Sequence, residues 1–194
     1  MKGPLTTWHD GPIQEPIGLL QGSWEELNVE PAASFAQSLR ELNGLKLAGI
    51  IEDYAIADAM ALVFWTEPVP TYDLDVLVLL PEQGTSLVSL SGIYEWAAAR
   101  GYPADAEHVV IADVPVQFLP AHGELADEAI ETAATLEYEG VPVRVVRPEY
   151  LVALYCEPSA RTAKRRERAA ALLEAPGTDR ALVQVLIKRF GLVP

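Results

Sequence analysis

Two aspartates separated by one residue, Asp73 and Asp75, are the strongest chemical feature of this sequence. They begin the segment Asp73–Leu80, whose far end is continuously apolar, as is typical of a central strand. Side chains two positions apart on a strand point to one face, about 7 Å apart, so their oxygens can converge on one cation. Carboxylate oxygens favour Mg²⁺ or Mn²⁺ over zinc. The pair predicts a divalent-metal site, the alternative being a solvated strand edge.

A group of basic residues near the C-terminus is the second chemical feature. Arg161, Lys164, Arg165 and Arg168 are spaced so that they share one face of a helix. Such a face can bind the phosphates of a triphosphate or of RNA, or it can be a solvated face that pairs with acidic residues elsewhere. The formal net charge of −14 argues against a broad nucleic-acid-binding surface and leaves a local anion site open.

Several other kinds of site find no support in the sequence. Cys156 is the one cysteine, which excludes an internal disulfide and a cysteine-based zinc site. The 3 histidines lack metal-ligand spacing, and no P-loop or dinucleotide-binding glycine motif occurs. No apolar stretch reaches the roughly 20 residues of a membrane helix, and no secretory leader is recognisable. We therefore expect no membrane partner and a cytoplasmic location.

Strand and helix patterns alternate along the chain and predict the order α-β-α-β-α-β-β-α-β, followed by three helices. The predicted fold class is α/β, with a mixed sheet flanked by helices and a C-terminal helical tail. Proline and glycine interrupt residues 1–30, which are predicted to form an irregular arm. We expect the α/β domain to cover residues 31–146 and the helical segment to cover residues 147–194.

Local signals predict where the elements near the candidate site begin and end. Gly44 is expected to end the first helix. A strand over 45–51 and then a helix over 52–64 are expected to follow it. A further helix is expected over 125–138, before a strand. Ser159 is expected to cap the second helix of the tail.

Two runs of the sequence carry a family resemblance: LAGIIEDYAIA over residues 47–57 and YDLDVLV over residues 72–78. They resemble the nucleotidyltransferase superfamily, most closely the branch of the AbiEii-type toxins. In that family a strand leads into Gly-Gly or Gly-Ser, a helix follows, and the next strand carries Asp-x-Asp. The run PEYLVAL over residues 148–154 is similar to that branch's helices after the sheet. The resemblance extends over residues 35–175.

The resemblance implies a metal-dependent transfer of a nucleotidyl group from an NTP to a hydroxyl on a nucleic acid, a protein or a small molecule. Asp73 and Asp75 would hold Mg²⁺ (or Mn²⁺), which neutralises charge on the phosphates. A third carboxylate on a neighbouring strand would complete the site as ligand and base. Arg161, Lys164 and Arg165 would bind the outer phosphates.

The sequence departs from the family pattern at several positions. Glu52 and Asp53 align with the Gly-Gly or Gly-Ser pair, where carboxylates facing the pocket oppose an anionic triphosphate. Gln117 aligns with the third acid and cannot act as a base. Tyr155 and Arg165 stand where the branch has a lysine and an acidic residue.

These departures leave three hypotheses. The first is an active nucleotidyltransferase. The second is a catalytically inactive protein of the same fold that acts as a binding or assembly partner, with the arm over residues 1–30 mediating homodimerisation or contact with a cognate protein, as in a toxin–antitoxin pair. The third is an unrelated α/β protein in which the two aspartates are a chance pair.

Overall fold

The computed structural model of the chain describes residues 31–66, 71, 73–81, 89–160 and 162–193. The predicted arm over residues 1–30 and the predicted phosphate ligand Arg161 lie outside the described residues. Within the described part, no helix is both long and apolar enough to cross a membrane.

One mixed sheet of seven strands is the framework of the described structure. The strands are β1 Asp53–Ile56, β2 Leu74–Leu79, β3 Ala104–Asp105, β4 His108–Ile111, β5 Val114–Pro120, β6 Ala134–Tyr138 and β7 Val141–Val145. Their spatial order is β3-β4-β5-β2-β1-β7-β6. The β1–β7 and β2–β5 pairs are parallel, and the other pairs are antiparallel. The mixed α/β sheet predicted from the sequence is therefore confirmed.

Seven α-helices accompany the sheet in the described residues. They are α1 Pro31–Leu47, α2 Asp58–Leu62, α3 Ser91–Ala99, α4 Glu124–Glu131, α5 Pro148–Tyr155, α6 Ala163–Glu174 and α7 Arg180–Arg189. Helix α1 packs against β1, β4, β5 and β7, whereas α4 packs against β1, β2 and α5. Helices α6 and α7 both pack on α5, which confirms the predicted helical tail.

Strand β2 lies at the centre of the sheet and fixes which face carries the aspartates. Leu74, Val76 and Val78 are completely buried on one face. Burying each of these side chains contributes about 1.5–3 kcal/mol, so a slip of one residue along the strand is strongly disfavoured. Asp75 therefore points to the other face, where Leu77 is only partly buried.

The first helix does not end at Gly44, because its apolar stripe continues past this residue. Leu39, Leu42 and Leu45 are completely buried at helical spacing, and α1 includes all three. A glycine in a helix interior costs only about 1 kcal/mol, which this burial outweighs. The predicted strand over 45–51 is therefore wrong.

The predicted helix over 52–64 is also wrong, because this segment divides into β1 and the short helix α2. Tyr54, Ala55 and Ile56 are completely buried in succession, as in a strand that is covered on both faces. Short apolar runs fit helical and strand periods almost equally well, so spacing alone could not separate the two readings. The division at Ala57 places a strand-to-helix turn next to β2.

The predicted helix over 125–138 is correct only in its first half, which forms α4. The second half forms β6 because it pairs with β7 through a two-residue hairpin turn. The turn residues Glu139 and Gly140 have φ values of +48° and +71°, as a tight hairpin turn of this kind requires. Cross-strand pairing therefore overrides the helical spacing.

The N-cap of α6 lies three residues later than the sequence suggests. Thr162, rather than Ser159, caps α6, with its hydroxyl accepting from the backbone N–H of Arg165 at 3.1 Å. Asp179 caps α7, and its carboxylate accepts from the backbone N–H groups of Ala181 and Leu182 at 2.9 and 3.1 Å.

We expect Asp179→Ala to lower the free energy of unfolding by about 1 kcal/mol, because the substitution removes the side-chain cap of α7. The backbone N–H of Asp179 still donates to Glu149 at 2.8 Å, so the start of the helix keeps one anchor. Urea unfolding followed by circular dichroism measures the loss. Glu107→Ala, on an exposed turn, is the control and should change stability by less than about 0.5 kcal/mol. Equal losses in the two variants would contradict the capping role.

Candidate functional site

The two aspartates lie at the start of β2, next to the end of β1. The backbone carbonyl of Asp75 accepts from the backbone N–H of Ala57 at 2.8 Å. The carboxylate of Asp73 accepts from the hydroxyl of Thr71 at 2.9 Å, which restrains it just before the strand. Asp73 is half-buried, whereas Asp75 is 8% exposed. The structure therefore places the two residues close together at the strand's start, with Asp75 in β2 and Asp73 just before it.

Strands β5 and β4 continue the same face beside Asp75. Gln117 pairs in register with Asp75, and His108 pairs in register with Gln117. Register partners share a face of the sheet, so the three side chains form a row across it. Gln117 thus lies where the third acid was expected, and it offers an amide oxygen rather than a base. Nε2 of His108 is buried and has no hydrogen-bond partner among the described residues.

The turn between β1 and α2 brings a third carboxylate to this face. Asp58 follows Ala57, whose backbone N–H is bonded to β2, and its side chain is 14% exposed. Its φ of +44° lies in the left-handed region, which aspartate tolerates better than most residues other than glycine. Asp58 is therefore held beside Asp75 by the backbone rather than by a mobile loop.

Two arginines of α6 and a tyrosine of α5 converge on Asp58. Arg165 donates to one carboxylate oxygen through Nη2 and Nε, at 2.8 and 3.3 Å. Arg168 donates through Nη1 to the other oxygen, to which the hydroxyl of Tyr155 also donates at 3.2 Å. Burial and the charge of Asp58 raise the pKa of Tyr155, so its hydroxyl stays protonated. These charge-assisted bonds fasten the helical tail to the β1–α2 turn.

We call Asp58, Asp73, Asp75, Arg165 and Arg168 the carboxylate–arginine cluster. Burial and the negative charges of Asp58 and Asp73 raise the pKa of Asp75 to about 6, although both arginines act in the opposite direction. Asp58 and Asp75 therefore interact with the two guanidinium groups, and Asp73 adds a third negative charge beside Asp75. The excess of negative charge favours a bound cation or a proton at this point.

Glu52 and Asp53, which were predicted to face the phosphates, do not lie at the cluster. They stand at the opposite end of β1, about 13 Å along the strand from Ala57. The prediction depended on a helix over 52–64, whereas the turn from strand to helix occurs at Ala57 and Asp58. Ala57 and Asp58, rather than Glu52 and Asp53, therefore form the turn from the strand to the helix.

Only part of the basic helix face predicted from the sequence lies at the cluster. Arg165 and Arg168 reach it, and Lys164 is exposed on the same helix. Asp58 is the residue that sequence reasoning missed. No local signal marks Asp58 in the sequence, because the short run Tyr54–Ile56 fits a helix about as well as a strand.

The donor set of Asp73 and Asp75 fits Mg²⁺ or Mn²⁺ if a ligand supplies further oxygens. Among the residues that the structure describes, no group of three or more His, Cys, Asp or Glu is arranged to hold a metal ion. Mg²⁺ is commonly bound by one or two carboxylates together with substrate phosphates and water. Two carboxylates in surroundings of surplus negative charge meet this requirement, so the site fits a metal shared with a phosphorylated ligand.

A separate apolar groove lies between α5, α6 and α7, with a cavity volume of about 970 Å³. Tyr155, Leu173, Val183 and Ile187 are among the residues that line it. Asp73 and Asp75 do not line this groove. The groove adjoins the cluster through Tyr155 but is a distinct concavity, and it carries none of the metal-binding chemistry.

The fold is similar to that of a solved nucleotidyltransferase-like protein. An antigenic nucleotidyltransferase-like protein from Paracoccidioides brasiliensis matches with a TM-score of 0.51 and 14% identity, over 82% of this chain and 86% of its own. The solution structure of the antibiotic-resistance factor ANT(2'')-Ia matches with a TM-score of 0.48 and 17% identity, over 82% and 92% of the two chains. Its crystal structure in complex with adenylyl-2''-tobramycin gives 0.48 and 15%, over 81% and 99%. No protein-family model and no curated protein matches the chain.

Proposed function

We propose that this chain, which has a nucleotidyltransferase-like fold, binds a nucleoside triphosphate with Mg²⁺ (or Mn²⁺) at the carboxylate–arginine cluster and transfers the nucleotidyl group to a hydroxyl acceptor. The observation that carries the proposal is that Asp75, with Asp73 beside it, lies within electrostatic reach of Arg165 and Arg168. Carboxylates for a metal and guanidinium groups for phosphate are thereby present at one site. The fold shared with a nucleotidyltransferase-like protein adds support.

Each residue of the site has a distinct role in this proposal. Asp73 and Asp75 hold the metal, which when bound neutralises negative charge on the phosphates. Arg165 and Arg168 donate to phosphate oxygens, for which the planar guanidinium is well suited. Tyr155 positions Arg165, whose guanidinium lies 5.9 Å from the centre of the tyrosine ring.

A second candidate function is a ligand-binding protein that does not catalyse transfer. Gln117 favours it, because a glutamine in register with Asp75 cannot take the proton of an attacking hydroxyl. Asp58 favours it too, because its carboxylate engages both arginines. In this candidate the chain acts as a binding or assembly partner of another protein.

Binding of a non-hydrolysable ATP analogue tests the proposal. Titration calorimetry should show tighter binding by the wild type in Mg²⁺ than in EDTA. We expect Asp73→Asn/Asp75→Asn to weaken the Mg²⁺-dependent binding at least about tenfold, as loss of even an indirect metal partner does. Glu52→Gln, exposed at the other end of β1, is the control and should bind as the wild type does. No binding by the wild type at millimolar analogue would refute the proposal.

Pyrophosphate release separates the two candidates. With ATP, Mg²⁺ and candidate hydroxyl acceptors, an active transferase forms pyrophosphate in amounts equal to the labelled acceptor. Mg²⁺-dependent nucleotide binding with neither product supports the second candidate instead.

The same proposal includes a family branch, a cellular setting, further phosphate ligands and a partner contact for this chain. We place the chain in the AbiEii-like branch and in a toxin–antitoxin setting in the cytoplasm. Arg161 and Lys164 are proposed as further phosphate ligands, and residues 1–30 as the contact with a second copy or a cognate protein. The boundary between the α/β domain and the helical segment is proposed at residue 146. Light scattering on the full chain tests the homodimer.

A further inference from the structure

Asp58 engages the arginines that are proposed to bind phosphate. Its two oxygens accept from Arg165 at 2.8 and 3.3 Å and from Arg168, so both guanidinium groups already hold an anion. A carboxylate and a phosphate present oxygens of similar spacing to a guanidinium group, so they compete for the same donors. A phosphate that enters the cluster therefore meets a competitor belonging to the chain itself.

The backbone keeps Asp58 close to the arginines. Its left-handed φ of +44° lies between two buried alanines, Ala57 and Ala59. The side chain can rotate away from a ligand, but its Cα is held between the end of β1 and α2. The negative charge therefore stays within a few ångströms of any phosphate on Arg165 or Arg168.

We propose that Asp58 is a specificity-determining residue, an internal anion that phosphates must displace and that makes the site select metal-complexed nucleotide over free nucleotide. The inference rests on the proposed function for the identity of the ligand. A metal-free triphosphate carries more negative charge than its Mg²⁺ complex, and it would face Asp58, Asp73 and Asp75 together. Repulsion between two unit charges about 6 Å apart, at an effective dielectric of about 20, lowers the affinity for the anion by roughly a hundredfold.

The test compares Asp58→Asn with a matched control, Asp53→Asn. Asparagine tolerates a positive φ, so the first change removes charge and leaves the backbone intact. Asp53 accepts a hydrogen bond from Lys46 at 2.7 Å and forms an ion pair with Arg144 at 3.1 Å, so the control also removes an aspartate held by two basic groups. The two variants have the same net charge, but the control lies at the far end of β1.

The probe is inorganic tripolyphosphate in EDTA, measured by titration calorimetry. We expect Asp58→Asn to bind it at least about tenfold more tightly than the wild type, and Asp53→Asn to change affinity less than about twofold. The gain should disappear in Asp58→Asn/Arg165→Gln. For the Mg²⁺ complex of the ATP analogue, the gain in affinity of Asp58→Asn should be smaller. The variant should therefore select the metal complex over the metal-free anion less strongly than the wild type does.

Equal affinity of Asp58→Asn and the wild type for tripolyphosphate would overturn the inference, as would an equal gain in the control. If Asp58→Asn does not fold, Asp58→Gly serves as the second variant, because glycine suits the positive φ. The two proposals can fail separately. A tripolyphosphate gain without Mg²⁺-dependent nucleotide binding leaves Asp58 as an internal anion and refutes the nucleotide assignment.

Discussion

Arg168→Met is expected to lower the free energy of unfolding by about 3 kcal/mol. The substitution removes one of the two positive charges that pair with the largely buried carboxylate of Asp58. The side chains of Arg168 and Asp58 are only 11% and 14% exposed, so water cannot replace the lost donor well. Methionine keeps the packing of the arginine stem. Because Arg165 still donates to Asp58, the loss stays near the lower limit for a broken buried pair.

A double-mutant cycle checks this prediction by urea unfolding. In the Asp58→Asn background, Arg168→Met should cost no more than about 1 kcal/mol, which gives a coupling energy of about 2 kcal/mol. Arg166→Met, on an exposed position of the same helix, is the control and should cost less than about 0.5 kcal/mol. Additive losses in the cycle would show that the two side chains do not act as a pair.

Asp75→Asn is expected to stabilise the metal-free protein at neutral pH by on the order of 2–3 kcal/mol. In the folded protein the pKa of Asp75 is raised from 3.8 to about 6 by burial, Asp58 and Asp73. Ionised Asp75 therefore opposes folding at neutral pH, and asparagine removes the charge with little change of shape. A residue that lowers stability in the absence of a ligand is typical of binding sites.

The pH dependence gives the sign of this effect. Between pH 3.8 and about 6 the folded state binds more protons at Asp75 than the unfolded state, so wild-type stability falls as pH rises through this window. The advantage of Asp75→Asn should be absent below pH 4 and complete above pH 7.

Urea unfolding in EDTA across this range measures the difference between Asp75→Asn and the wild type. Asp105→Asn on the exposed edge strand is the control for the chemical change. Saturating Mg²⁺ should reduce the difference in free energy of unfolding between the variant and the wild type, because a bound ion stabilises the wild type alone. An Asp75→Asn variant that is less stable than the wild type at pH 7.5 would contradict the prediction.

The sequence predicts the part of the fold in which hydrophobic pattern and length agree. The apolar run over 76–80 predicts the central strand that carries Asp75, and the Pro148–Tyr155 helix is marked by its first-turn proline. These features depend on local rules that tertiary contacts reinforce.

Residues 45–64 could not be assigned from the sequence because local and tertiary preferences conflict there. Leu45 extends a buried helical stripe across Gly44, and the strand Asp53–Ile56 has only four residues. That short strand owes its existence to pairing with β2 and β7 rather than to its own propensity. The error mattered for function. It assigned Glu52 and Asp53 to the turn between the strand and the helix, whereas the acidic residue at that turn is Asp58.

The contact between Asp58 and Arg168 joins residues 110 positions apart in the chain. Closing a loop of that length costs chain entropy before any contact compensates it, so the pair is expected to form after the folding transition state. Stopped-flow measurements on Arg168→Met should then show faster unfolding and an unchanged refolding rate. During synthesis, the turn after β1 leaves the ribosome long before α6 exists, so the nascent protein carries an unmatched charge until its last helices emerge.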